Sequence, residues 1–308
     1  MRSLFNKVLL EIAEKNDRIY LILADIGYGE IEGFAERFPD RYFNVGVAEQ
    51  NMTGVACGVA MEGNIAVTYS IANFPTLRCL EQIRNDVCYH KANVKIVIIG
   101  GGLAYGALGV SHQSTEDLAI MRALPDMVVL APADFAEAEA ATRAMIAHDG
   151  PVYYRCGYKK EPPLHAGPIE FRIGRAIQVR DGKDVTLIGT GTITYRAWQA
   201  AGILEAQGIE ARVLSMHTVK PIDREAILKA ARETGAVLTV EEHNVLGGLG
   251  GAVAEVLAEG GAGVPFKRIG LPDTYVHIVG SHEWLLDHYG FAPQAIAAAA
   301  KQVLERRK

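Results

Sequence analysis

Short runs of apolar, often β-branched residues alternate along this chain with longer stretches that carry helix signals. The apolar runs fall at residues 19–23, 94–99, 127–130, 185–188, 211–214 and 237–240. Runs this short and this uniformly apolar suit strands covered on both faces, as in parallel sheets. Between them, Asp134 stands where it can cap a helix containing residues 136–146, and Asp223 can cap one over 224–234. Residues 1–7 read as the start of another helix. Strand–helix alternation of this kind predicts an α/β fold of mostly parallel sheets flanked by helices. The periodicity lapses at residues 158–168, a polar stretch that holds Pro162, Pro163 and Pro168. That stretch reads as a linker or crossover. It divides the chain into two expected domains, 1–165 and 166–308.

Composition narrows the class. A chain of 308 residues is long enough for two domains that each bury a core. A formal net charge of -5 argues against broad attraction to nucleic acid or to an anionic membrane. No apolar run is long enough to span a bilayer, and Glu11 and Glu14 interrupt any signal-like stretch at the N-terminus. Cys57, Cys79, Cys88 and Cys156 form no CxxC pair and no metal-ligand spacing. Reduced thiols in a cytoplasmic protein are the expectation, with Cys57 in the core.

The candidate chemistry centres on residues 42–60. A short apolar strand leads to Glu49, and Glu49 opens a helix of small residues running through Gly54, Ala56, Gly58 and Ala60. A carboxylate at such a junction, flanked by apolar residues, costs desolvation energy unless it has a partner. Burial there favours the protonated form near neutral pH. The competing reading is a carboxylate at the positive end of a helix dipole, accepting backbone N–H groups.

This segment resembles the one with which thiamine-diphosphate enzymes of the transketolase family bind the cofactor's aminopyrimidine ring. The match continues in register through Tyr69-Ser70-Ile71-Ala72-Asn73-Phe74, residues 80–86, the strand and glycine run at 95–102, and Gly109-Val110-Ser111-His112-Gln113. It runs on through residues 121–127 and 150–154. In the second half it includes residues 216–221, Glu241-Glu242-His243-Asn244 with the glycines after it, and Gly270-Leu271-Pro272-Asp273. The resemblance covers nearly the whole chain, and the order and spacing of the motifs make it specific.

The resemblance implies a pyrimidine-binding domain followed by a transketolase C-terminal domain. It implies the C-terminal subunit of a split transketolase, moving a two-carbon ketol unit from a ketose donor to an aldehyde acceptor. Glu49 would be the carboxyl bonded to the pyrimidine N1′, which favours the imino form of thiamine diphosphate. Phe74 matches the ring that stacks on the pyrimidine, against a competing reading as core packing. Ile71 stands where many relatives carry a second aromatic. Asp25 matches a carboxylate near the cofactor and subunit interface, with N-capping as the alternative. His112 would bind substrate hydroxyls or shuttle a proton. Arg2 matches one arginine of the family's phosphate grip. Leu108 and Tyr158 fall where an aspartate and an arginine commonly contact substrate, and Gly29 and Gly100 replace a serine and a histidine. His217, His243 and His277, at sheet edges or in loops, read as structural or interfacial. Residues 247–251 read as close helix packing and not as a nucleotide loop.

The family's Gly-Asp-Gly motif with its downstream asparagine is missing. No metal ligand is therefore expected in this chain. Mg2+ and the diphosphate are expected on a separate subunit with the diphosphate-binding domain, in a heterotetramer of two copies of each chain. Rival readings are the β subunit of a 2-oxo acid dehydrogenase E1 component and a 1-deoxyxylulose-5-phosphate synthase-like enzyme. From another class comes a non-catalytic partner that scaffolds or regulates an assembly.

Overall fold

The structure, a computed structural model, describes residues 1–158 and 161–307; Lys159 and Lys160 of the expected crossover lie outside the described residues. The first half supplies strands β1 (Ile19–Leu23), β2 (Tyr42–Asn44), β3 (Ile65–Ile71), β4 (Val94–Ile99), β5 (Val128–Leu130) and β6 (Val152–Cys156). The second supplies β7 (Ile177–Arg180), β8 (Val185–Thr190), β9 (Ala211–Ser215), β10 (Thr218–Lys220), β11 (Val237–Asn244) and β12 (Phe266–Leu271). Helices α1 (Arg2–Ala13), α2 (Glu32–Arg37), α3 (Glu49–Met61), α4 (Leu80–Gln82), α5 (Asp117–Ala123) and α6 (Phe135–Ala147) belong to the first half. A π-helical stretch, Ile83–Cys88, follows α4 directly. Helices α7 (Thr194–Glu205), α8 (Arg224–Thr234), α9 (Leu249–Glu259), α10 (His282–His288) and α11 (Pro293–Glu305) belong to the second.

Two sheets form among the described residues. The first runs in the order β10-β5-β6-β4-β3-β1-β2 and the second β12-β11-β8-β9-β7. Pairing is parallel throughout, save for β10 on β5 and β7 on β9. The expected α/β architecture of mostly parallel sheets is present. Successive residues of a strand face opposite sides. In β1, Leu21 and Leu23 join a core with Phe5, Leu9 and Tyr154, while Ile22 joins one with Met52, Ala56 and Ile83. The second sheet is covered likewise, by a cluster with Leu204 and Val303 and by another with Ile227 and Val253.

Both predicted caps form. The Asp134 carboxylate accepts from the Glu137 N–H at 3.0 Å, and that of Asp223 from the Ala226 N–H at 3.0 Å. Asp134 also accepts from the N–H groups of Leu164 and His165, at 2.8 and 3.0 Å, and so fastens the chain as it leaves the first sheet.

The two halves are stitched together. Strand β10 reaches back from the second half and closes the open side of β5. Buried Arg155 on β6 donates to Asp117 at 2.8 Å and to the Glu242 carbonyl at 3.0 Å. Glu242 accepts from the Leu103 N–H at 2.6 Å and bonds His282 at 2.8 Å. Strand β11 therefore runs four residues past the apolar segment expected at 237–240, through Glu241, Glu242, His243 and Asn244. Those polar residues stay in the sheet because each has a partner inside the protein.

Candidate active site

The C-terminal ends of β1, β2, β3, β4 and β6 share one edge of the first sheet, since these strands are mutually parallel. That edge is where parallel sheets gather ligands. Glu49 lies just beyond it. Strand β2 ends at Asn44, earlier than expected, because Gly46 turns the chain with φ +74°. Glu49 becomes the first residue of α3, whose buried Met52, Ala56 and Ala60, with Thr53 and Cys57, recur at four-residue spacing.

Glu49 is 2 % exposed. Its Oε2 accepts a hydrogen bond from Arg78 Nη1 at 2.5 Å. The Arg78 side chain is 47 % exposed. The burial of this carboxylate is answered by an ion pair with a half-exposed arginine. Sequence reasoning missed Arg78. Its only signal was a lone cation between Leu77 and Cys79, and the partner is distant in sequence.

Arg78 also lies over Phe74, with its guanidinium carbon 4.9 Å from the ring centroid. The His112 ring meets Phe74 edge-on at 5.1 Å and 70°. His112 Nδ1 is 3.0 Å from Ser111 Oγ, and Asn73 Nδ2 donates to the Ser111 carbonyl at 3.1 Å. The loop after β3 is thereby tied to the loop carrying His112. Tyr105 continues the row, 6.3 Å from His112 and 4.5 Å from Tyr158. The structure thus brings Glu49, Phe74, His112 and Tyr158 into one connected line.

Other predicted residues stand apart from it. Asp25 follows β1 in a left-handed conformation, φ 54°, and is exposed. It accepts from Tyr28 Oη at 2.8 Å and Asn44 Nδ2 at 3.1 Å, and these two bonds hold its carboxyl below its ordinary value. It caps no helix, since the residue before α2 is Ile31. The capping alternative is therefore replaced by a loop brace between β1 and β2. Ile71 ends β3 half-buried, and its carbonyl accepts from the Phe74 N–H at 3.0 Å.

Arg2 is already engaged: its Nε donates to Glu30 Oε1 at 2.9 Å, and Ser3 Oγ donates to the same oxygen at 3.2 Å. Leu108 sits exposed in a turn, Gly106–Leu108. Gly100 has φ +76°, and a Cβ there would come within 2.5 Å of the Tyr105 ring. A side chain at this position and Tyr105 exclude one another. Gly100, Tyr158, Arg155, Arg196, Glu242 and His282 help line a cavity of about 490 Å³ between the halves.

In the second half, buried His217 stacks on Phe171 at 4.0 Å. His243 is buried in β11, an interior strand and not a sheet edge. It accepts from the Ala119 N–H at 3.2 Å, linking the two halves. His277 is exposed in a loop. The glycines after β11 make room for a carboxylate. A Cβ on Gly248 would lie 2.0 Å from Glu241 Oε2, and Glu241 accepts from the Leu249 and Gly250 N–H groups at 2.6 and 2.7 Å. All four cysteines are free and buried. Among the described residues, no group of three or more His, Cys, Asp or Glu is gathered as for a metal ion. None of their helices is long and apolar enough to cross a membrane.

Comparison with known proteins agrees with this architecture. Residues 1–158 match the model of the transketolase pyrimidine-binding domain, and residues 174–296 that of the transketolase C-terminal domain. The chain is 41% identical to the 6-deoxy-6-sulfo-D-fructose transketolase subunit SqwH of Clostridium sp. (strain MSTE9), over all of this chain and 95% of that protein. It is 38% identical to a subunit of the apulose-4-phosphate transketolase of Phocaeicola vulgatus, over 99% of this chain and 97% of that one. A solved split-gene transketolase, described as an inactive β4 tetramer, superposes with a TM-score of 0.90 at 42% identity, over 100% of this chain and 98% of its own. The chain belongs to the transketolase family of thiamine-diphosphate enzymes, as a subunit carrying the pyrimidine-binding and C-terminal domains.

Proposed function

We propose that Glu49, Phe74 and His112 form this chain's half of a transketolase active site, completed by a separate subunit that holds the diphosphate and Mg2+. The observation that carries this is the buried Glu49, joined through Arg78 and Phe74 to His112 at the C-terminal edge of the first sheet. These residues fit the aminopyrimidine half of thiamine diphosphate. A buried acid suits a ring nitrogen, and an aromatic face suits a flat heterocycle. Bound there, the cofactor supplies the carbanion chemistry that makes and breaks the carbon–carbon bond. Glu49 holds a proton at N1′, Phe74 and Ile71 set the ring's plane, Asp25 braces the loop beside it, and His112 addresses substrate hydroxyls. The working division is residues 1–165 and 166–308, in a cytoplasmic heterotetramer with two copies of each subunit. The test is reconstitution. The chain alone should show no cofactor-dependent turnover and negligible cofactor affinity in calorimetry. Mixed with its diphosphate-binding partner, it should transfer a ketol unit. Mg2+-dependent cofactor binding by the isolated chain would overturn this division of labour.

The substrate end supports weak discrimination for phosphate. Arg2 is held by Glu30, the space at Gly100 is taken by Tyr105, and Leu108 and Tyr158 offer no cation. Charge-assisted bonds supply most of the grip on a phosphate. Comparing kcat/KM for glyceraldehyde and glyceraldehyde 3-phosphate with one ketose donor decides the matter. A preference above about 10³-fold for the phosphorylated acceptor, roughly 4 kcal/mol, would mean either that these positions do not correspond to the family's phosphate grip or that the partner subunit supplies the missing clamp.

A further inference from the structure

Glu49 and Phe74 are both assigned to the pyrimidine, and Arg78 contacts both. Its guanidinium donates to the Glu49 carboxylate at 2.5 Å and lies over the Phe74 ring at 4.9 Å. A guanidinium is flat and delocalised, bonds carboxylates in plane and stacks on aromatic faces. Those are the contacts an aminopyrimidine makes. We propose that Arg78 is a built-in occupant of the pyrimidine site, holding Glu49 and Phe74 until the cofactor displaces it. This rests on the reading of Glu49 and Phe74 given above.

The two ends of the pair are unequal, and that makes displacement feasible. Glu49 is 2 % exposed, whereas the Arg78 side chain is 47 % exposed. A buried carboxylate left without a partner is strongly destabilising, so the chain by itself gains from the pair. The guanidinium can leave into water without losing its hydration, and it keeps its charge when it goes. Among the groups around Glu49, the Cys79 thiol feels its charge and that of Arg78. That thiol is pushed up to about 11, mainly by burial, and stays neutral during the exchange.

The test uses calorimetry of thiamine diphosphate binding to the assembled two-subunit enzyme, with Mg2+ present, at pH 8. Arg78→Met should bind the cofactor more tightly, on the order of tenfold, because nothing has to be displaced. The isolated variant chain should melt at a lower temperature than wild type. Arg78→Lys keeps a cation but loses the planar fork, and should fall between the two in affinity. If Arg78→Met does not fold, the lysine variant decides alone. Unchanged or weaker cofactor binding, in either variant that folds, overturns the proposal and makes Arg78 a structural residue or a cofactor ligand. If the assembled wild type binds no cofactor at all, the reading of Glu49 and Phe74 fails first, and the occupant role fails with it.

Discussion

Glu49, the first residue of α3, and Glu241, in β11 ahead of α9, are both buried carboxylates near a passage from strand to helix. Their partners differ. Both oxygens of Glu241 are met by fixed backbone N–H groups at the start of α9, and Gly248 and Gly250 are bare so that the carboxylate can sit there. Burial still raises the Glu241 carboxyl above its ordinary value, against the pull of His243 and those N–H groups. Glu49 has instead one side-chain partner, half in solvent. Burial and position are shared, so neither marks a functional acid. What separates the two is whether the partner can be exchanged for a ligand.

Four measurements can break or sharpen this contrast. The largest effect expected is on stability. Glu241→Ala leaves two N–H groups buried and unmet, at about 1–3 kcal/mol each, so urea unfolding should show a loss of about 4 kcal/mol. Turnover per folded molecule should be unaffected. A loss below about 1 kcal/mol would show that water replaces the carboxylate and that Glu241 is not locked in. Next comes Glu49→Gln, which keeps the shape and loses the acid. The assembled enzyme should lose about 10² or more in turnover, equivalent to about 2.7 kcal/mol, with its unfolding midpoint little changed. Turnover near wild type at saturating cofactor would place Glu49 in the same class as Glu241.

Gly248→Ala probes the same junction from the other side. Its Cβ would lie 2.0 Å from Glu241 Oε2, so the carboxylate or α9 must shift. A cost of about 2 kcal/mol is expected in urea unfolding. No measurable cost would mean that the glycine only shapes the turn. The smallest effect concerns a third buried charge. Lys95 on β4 is fully buried and donates to the carbonyls of His148 and Gly150, each at 2.7 Å. Burial lowers its ammonium to about 7, against the pull of Asp149. A cation whose folded value lies below its unfolded one binds fewer protons when folded. Its contribution therefore grows as pH rises above 7 and is lost as pH falls back through that value, with a slope of at most about 1.4 kcal/mol per pH unit. Lys95→Met should flatten the rise in unfolding free energy between pH 7 and pH 8. An unchanged slope would show that Lys95 stays charged in its carbonyl cradle.

Much of the architecture is legible without coordinates, for identifiable reasons. Strands such as β4 and β8 are covered on both faces, and uniform apolar runs report that directly. Asp134 and Asp223 are visible because a cap acts on residues close by in the chain. Strand β10 is not visible: Thr218-Val219-Lys220 is too short to show a period, and its partner lies far back in sequence. The polar end of β11 is hidden for a related reason, since Glu242 and His243 are satisfied by residues of other elements. In the site, the resemblance singled out Glu49, Phe74 and His112 as separate positions. Their convergence, and Arg78 as the link, depend on how the loops after β3 and β4 fold against α3. Tyr105 escaped notice because its place depends on Gly100 having no side chain, a relation that no local pattern encodes.

The backward reach of β10 bears on how this polypeptide leaves the ribosome. Strand β5 is wholly apolar, and its outer edge is closed only when Thr218–Lys220 pairs with it. Every nascent chain released through residue 165 alone therefore presents an uncovered strand edge of Val128, Val129 and Leu130, the kind of surface that recruits a neighbouring chain. Vectorial synthesis cannot finish the first sheet until much of the second domain has emerged. The two units mature as a pair, and slowing translation between them should raise aggregation in the cell, not relieve it.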